Sequence, residues 1–85
     1  MASKKQLETS WDKASKMRGK NPDVWRKDAC GNPMKKGSYG TQGQYGWEVD
    51  HKNPKKNGGT DCSRNLQALH WQENRQKGAK YPYNG

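Results

Sequence analysis

The first apolar residues of the chain recur at helical spacing. Leu7, Trp11 and Ala14 follow an i, i+4, i+7 pattern, which lines one face of a helix. Gly19 offers a stop signal, because glycine commonly follows the last helical residue. The pattern therefore predicts a first helix over about residues 7–17.

A second helix is predicted from its start signals. Asn21 is suited to cap a helix, Pro22 to occupy its first position, and Asp23 to supply an acid in the first turn. The turn-forming run Gly31-Asn32-Pro33 comes soon after. We expect a short helix that ends near Asp28.

The second half of the chain changes to the period of a strand. Residues 35–46 are glycine-rich and predict an irregular connection with at most a short strand. Apolar and polar residues alternate over 47–50, which indicates a strand with one buried face. A polar loop over 52–62, a second short strand over 66–69 and a helix over about 71–78 complete a β-β-α order. The predicted fold class is small α+β.

Length and composition limit the fold to one small domain. The chain has 85 residues, of which 27% are hydrophobic, so little apolar surface is available for a core. We predict a flexible basic amino terminus at 1–6, one domain at 7–80 and a surface tail at 81–85. The four indoles are predicted core residues, with stacking on nucleic-acid bases as the alternative: Trp11, Trp25, Trp47 and Trp71.

The charge balance predicts a polyanionic partner. Lys and Arg number 17 against 8 Asp and Glu, a net charge of +9. Such a surface attracts nucleic acid. Neither a membrane-spanning run nor a signal peptide is evident, so we expect a cytoplasmic protein without membrane partners. Cys30 and Cys62 are not arranged as a CxxC pair, and free thiols are expected.

Four polar residues around the predicted loop indicate phosphodiester chemistry. Asp50 and His51 end the first strand of the β-β-α unit, and Asn65 and Asn74 follow. Near neutral pH an imidazole can take a proton from water, so His51 is the candidate base. Carboxylate oxygen suits hard cations, so Asp50 is a candidate ligand for Mg²⁺ or Mn²⁺.

These residues stand in segments that resemble the HNH endonuclease family over about residues 46–78. The segments are Trp47-Glu48-Val49-Asp50-His51-Lys52-Asn53-Pro54, Gly58-Gly59-Thr60-Asp61, Asn65-Leu66-Gln67 and Glu73-Asn74-Arg75-Gln76-Lys77-Gly78. The resemblance implies a ββα-metal (His-Me finger) core, here with additional amino-terminal α-helices. It also implies a metal-dependent DNA endonuclease, and without a separate recognition domain we expect nicking of duplex DNA with little sequence specificity.

The resemblance also implies roles for single residues. Asn65 would bridge the loop and so hold the base His51, and Asn74 would be the second protein ligand of one divalent cation. His70 is the alternative ligand, or a further phosphate contact. Many relatives bind a structural zinc through two CxxC pairs, but those pairs are missing here. We therefore expect no structural zinc, with Cys30 and His70 as a possible remnant of such a site.

DNA is the predicted partner, as duplex or single strand, with RNA an open alternative. The chain is predicted to be a monomer, with a dimer as the alternative. The predicted phosphate-binding residues are Lys52, Lys55, Lys56, Arg64, Arg75, Lys77, Arg26 and Arg18. A non-catalytic nucleic-acid-binding module and a zinc-binding structural domain are the rival functions.

Overall fold

A computed structural model describes residues 2–83 of the chain, and it confirms a small α+β fold. Its helices and strands are α1 (Lys4–Lys13), β1 (Ser15–Lys16), β2 (Trp25–Lys27), β3 (Pro33–Lys35), β4 (Trp47–His51), β5 (Leu66–His70) and α2 (Trp71–Lys77). Strands β1, β2 and β3 form one antiparallel sheet, and β4 pairs with β5 in a second. No helix within residues 2–83 is long and apolar enough to cross a membrane.

The β4–β5 hairpin separates the two helices. Trp47 lies opposite His70 and His51 lies opposite Leu66, so the strands pair over their full length. One face of the hairpin packs against α1, where the Trp11 and Trp47 rings lie 5.2 Å apart in the core. Side chains alternate between the two faces along a strand. Trp47 of β4 belongs to the core and Val49 packs against it, so Glu48 and Asp50 face α2 instead.

Helix α1 begins earlier and ends earlier than predicted. The Ser3 hydroxyl accepts a hydrogen bond from the Gln6 backbone, and the Gln6 side chain accepts one from the Ser3 backbone. This capping box starts the helix at Lys4. Residues 4–6 of the predicted amino-terminal segment therefore belong to the helix, whereas Met1 lies outside the described residues.

The predicted helix over 21–28 is wrong. Asn21 does start one turn, because its carbonyl accepts the Trp25 backbone N–H at 2.8 Å. The chain then extends into β2, which is hydrogen-bonded to β1 on one side and to β3 on the other. Pairing with two strands satisfies the backbone on both sides, and this outweighs a local helix start.

The β-β-α order that was predicted for the second half agrees with the structure. Both strands and α2 lie within one or two residues of the predicted bounds. The tail turns back onto α2, where the Tyr83 hydroxyl donates to Glu73 Oε1 at 2.7 Å. This hydrogen bond raises the pKa of Tyr83 to about 12. Residues 84–85 of the predicted tail lie outside the described residues.

Candidate active site

A surface pocket of about 570 Å³ lies between β4, the start of α1 and α2. Its chemically active lining residues are Glu48, His51, Lys55, Asp61 and Asn74. The pocket thus combines two carboxylates, an imidazole, an amine and a carboxamide. His51 and Asn74, both predicted site residues, lie in it together.

The loop after β4 is held in shape by Asn65. Its amide nitrogen donates to the carbonyls of Asn53 at 3.0 Å and Thr60 at 2.7 Å, and its Oδ1 accepts the Asn53 backbone N–H at 2.9 Å. Asn65 therefore joins the beginning of the loop, just after His51, to its end. Its catalytic effect remains a prediction.

Gly59 allows the loop to close on itself. Its backbone N–H donates to Pro54 O at 2.9 Å. A Cβ at this position would lie 1.7 Å from the Asn53 carbonyl oxygen, which is far inside van der Waals contact. Only glycine permits this approach of the two backbone segments.

His51, the last residue of β4, contacts a carboxylate of this loop. His51 Nε2 lies 2.7 Å from Asp61 Oδ1, and Lys55 Nζ lies 3.1 Å from Asp61 Oδ2. The hydrogen bond to His51, followed by the one to Lys55, lowers the pKa of the Asp61 carboxyl. Asp61 is therefore a carboxylate at neutral pH. The 3₁₀ turn over Ser63–Asn65 has no side-chain cap, so the Asp61 carboxylate does not serve as one.

Asn74 is oriented by Glu48. The Asn74 Nδ2 amide donates to Glu48 Oε1 at 2.7 Å. Within residues 2–83, Asn74 Oδ1 makes no protein hydrogen bond. The amide oxygen is therefore free to bind a cation or water in the pocket.

Asp50 faces α2 but does not line the pocket. Its side chain is buried, with Oδ1 3.3 Å from Lys77 Nζ and Oδ2 accepting from Gln67 Nε2 at 2.9 Å. Lys77 is itself buried and also donates to His51 O at 3.0 Å. The structure thus brings His51 and Asn74 together but engages the predicted ligand Asp50 in an ion pair.

Two of the predicted phosphate-binding residues are buried and belong to the interior. Lys77 pairs with Asp50, so its assignment as a phosphate contact is wrong. Arg26 lies against α1, where its Nη1 donates to Asp12 O at 2.9 Å, and its Nε donates to Pro22 O, outside the helix, at 2.9 Å. Arg26 satisfies the last carbonyls of α1, which have no partner within the helix, so its assignment is also wrong. The remaining members are exposed or half-buried: Arg18, Lys52, Lys55, Lys56, Arg64 and Arg75.

His70 has a structural position. It is buried, its Nδ1 accepts the Gln72 backbone N–H at 3.2 Å, and its Nε2 lies 2.8 Å from Gln44 O. Both ring nitrogens are engaged, so His70 caps α2 and is not available to phosphate or metal.

Cys30 is not in a disulfide, and burial, followed by the charge of Glu73, raises the pKa of its thiol.

The oxygen donors near the pocket fit a hard divalent cation. Within residues 2–83 no three His, Cys, Asp or Glu side chains converge as a metal cluster. Mg²⁺ and Mn²⁺ need few protein ligands, because waters and substrate phosphates complete their shell. Asn74 Oδ1 is free, and within residues 2–83 each Asp50 oxygen has a single polar contact, Oδ1 with Lys77 and Oδ2 with Gln67, so each oxygen keeps a further acceptor site.

Sequence reasoning missed two residues, Glu48 and Asp61. Glu48 precedes Asp50 by two positions, and this strand period was the signal that both face α2. Asp61 has no comparable signal, since only the folded loop brings it to His51.

Comparison with known proteins gave one match. The family model described as HNH endonuclease matches residues 28–80, more than half of the chain. No curated protein and no solved structure matches the chain significantly.

Proposed function

Since the chain belongs to the HNH endonuclease family, we propose that it is a metal-dependent DNA endonuclease that hydrolyses phosphodiester bonds. The observation that carries this proposal is the common pocket of His51 and Asn74, in which an imidazole and a free amide oxygen face the same space. This is the pairing of a base with a cation ligand that phosphodiester hydrolysis requires.

His51 is the proposed general base. Its side chain is 26% exposed, so a water in the pocket can reach the ring. The ring takes a proton from that water as the water oxygen attacks phosphorus. The products have 5′-phosphate and 3′-hydroxyl ends, as the family resemblance implies.

Asn74 and Asp50 are the proposed ligands of one Mg²⁺ or Mn²⁺ ion. When bound, such an ion supplies positive charge where the phosphate and the departing oxygen become more negative. Glu48 keeps the Asn74 amide turned so that Oδ1 is free. The carboxylate of Glu48 lies in the pocket itself, so it is the rival of Asp50 as a ligand.

The exposed basic residues provide the proposed contacts to DNA. Lys55 lines the pocket, and Lys56 and Arg64 are exposed on the loop that follows β4. Contacts of this kind bind the phosphate backbone and carry no sequence information. We therefore propose that the enzyme nicks duplex DNA with little sequence preference.

The test is cleavage of supercoiled plasmid by the purified chain with Mg²⁺, Mn²⁺, Zn²⁺ or a chelator. We expect relaxed circles before linear DNA in Mg²⁺ or Mn²⁺ and no cleavage with chelator. A parallel assay with labelled single-stranded DNA and RNA defines the substrate. DNA binding without cleavage in every metal would favour the alternative, a non-catalytic binding module.

A further inference from the structure

Asp61 lies between two donors in the pocket. One oxygen is 2.7 Å from His51 Nε2 and the other is 3.1 Å from Lys55 Nζ. The Asp61 side chain is 48% exposed, so its carboxylate does not need these two contacts to compensate for loss of water. These contacts place the Asp61 carboxylate next to Nε2 of the His51 ring.

We propose that Asp61 is a positioning residue that holds His51 in the tautomer protonated on Nε2, so that Nδ1 is the atom that accepts the proton from water. A neutral imidazole has one N–H donor and one acceptor nitrogen, and a hydrogen bond at one nitrogen determines the role of the other. Within residues 2–83, Nδ1 has no hydrogen-bond partner. The inference rests on the proposed nuclease function.

The same carboxylate also stabilises the product of the proton transfer. As the water oxygen bonds to phosphorus, its proton moves to Nδ1 and the ring becomes an imidazolium. The bond from phosphorus to the 3′ oxygen breaks with its electron pair on that oxygen, which takes a proton from solvent. The Asp61 carboxylate then lies at hydrogen-bond distance from the positively charged ring.

The loop does not depend on the Asp61 side chain for its shape. The neighbouring Thr60 carbonyl is held by Asn65 Nδ2 at 2.7 Å, and the Gly59 N–H is held by Pro54 O at 2.9 Å. Removal of the carboxylate therefore leaves these ties intact. One of its oxygens contacts His51 and the other contacts Lys55.

The first test measures the tautomer directly and needs no cleavage. The chain has two histidines, so the ring ¹⁵N resonances of His51 are assigned with His51→Ala. In the metal-free protein we expect neutral His51 to carry its proton on Nε2. Asp61→Ala should shift both ring ¹⁵N resonances as the Nδ1–H form becomes populated, and Asp23→Ala, an exposed aspartate outside the pocket, should not. A wild-type proton on Nδ1, or unchanged shifts in Asp61→Ala, overturns the proposal even if the chain is a nuclease.

The second test asks whether Asp61 acts through His51. A general base contributes about 10²–10⁴-fold, so we expect Asp61→Ala to slow single-turnover cleavage by about 10-fold or more, with unchanged affinity for DNA. On the His51→Ala background the same substitution should have no further effect on residual cleavage, since coupled residues are not additive. Equal losses on both backgrounds, or a parallel loss of DNA affinity, would show that Asp61 acts independently of His51. If the wild-type chain cleaves no DNA at all, the proposed nuclease function is refuted. The NMR measurement of the His51 tautomer still tests whether Asp61 positions the ring.

Discussion

Asn74 and His70 lie one turn apart at the start of α2, but only Asn74 reaches the pocket. If Asn74 is a cation ligand, Asn74→Ala removes a direct oxygen donor from an ion with few protein ligands. We expect the Mn²⁺ concentration for half-maximal cleavage to rise about 10-fold or more. Metal titrations of the cleavage rate measure this.

His70→Ala serves as the comparison for Asn74→Ala. Loss of the His70 cap should lower the free energy of unfolding by about 1 kcal/mol or more, without a change in the metal requirement. The same titrations of Glu48→Gln and Asp50→Asn identify the carboxylate ligand. A large change in metal requirement for His70→Ala, with none for Asn74→Ala, would show that the assignment is reversed.

Lys77 and Asp50 form a buried ion pair, so each charge depends on the other. Lys77→Met leaves the Asp50 carboxylate buried without the Lys77 ammonium group, which typically costs about 3–5 kcal/mol. We expect a loss of that order in the free energy of unfolding, measured with urea. The exposed Lys80→Met should change it by less than about 0.5 kcal/mol. Equal stabilities of the two variants would mean that Asp50 does not need Lys77.

At the scale of elements, the path of the loop after β4 determines the distance between the His51 ring and the Asp61 carboxylate. Gly59→Ala forces a Cβ against the Asn53 carbonyl oxygen, at 1.7 Å without relaxation, so the loop must move. We expect cleavage to fall sharply while the fold persists, with a stability loss of about 1–3 kcal/mol. Gly37→Ala is the control, because a Cβ there meets nothing within 4 Å. Wild-type cleavage by Gly59→Ala would separate loop geometry from catalysis.

The elements that the sequence predicted well are those with local causes. The alternation in β4 and the glycine after α2 define those elements without help from the rest of the chain. The start signals at Asn21 were also present, yet β2 formed because β1 and β3 offered hydrogen bonds on both sides. Such pairing is non-local and cannot be read from a short window.

The site residues also separate into those that local sequence spacing predicted and those whose contacts depend on the folded chain. Family spacing brought attention to His51 and Asn74, and they share a pocket. Sequence spacing carries no information about burial. It therefore gave no reason to expect that Asp50 is ion-paired with Lys77 or that Arg26 donates a hydrogen bond to a carbonyl at the end of α1. The contact of Asp61 with His51 depends on the three-dimensional path of the loop.

For the whole molecule, the net charge of +9 predicts binding to DNA that weakens steeply with salt. Each phosphate contact contributes about 0.9 to the slope of log K against log salt concentration. We expect Lys56→Ala and Arg64→Ala each to reduce this slope by about 1, as measured by fluorescence anisotropy. The buried Arg26 makes no such contact, so Arg26→Met should leave the slope unchanged in folded protein. A slope near zero for the wild type would exclude phosphate contacts as the basis of binding.

The central claim is that His51 removes a proton from the attacking water, and nicking of supercoiled plasmid by His51→Ala tests it most directly. The wild type and His51→Ala are compared in Mn²⁺ and in chelator, with circular dichroism and DNA affinity as controls for folding and binding. The account predicts that His51→Ala folds, binds DNA as the wild type does, and nicks about 10²–10⁴-fold more slowly. Nicking at the wild-type rate by folded His51→Ala would contradict it.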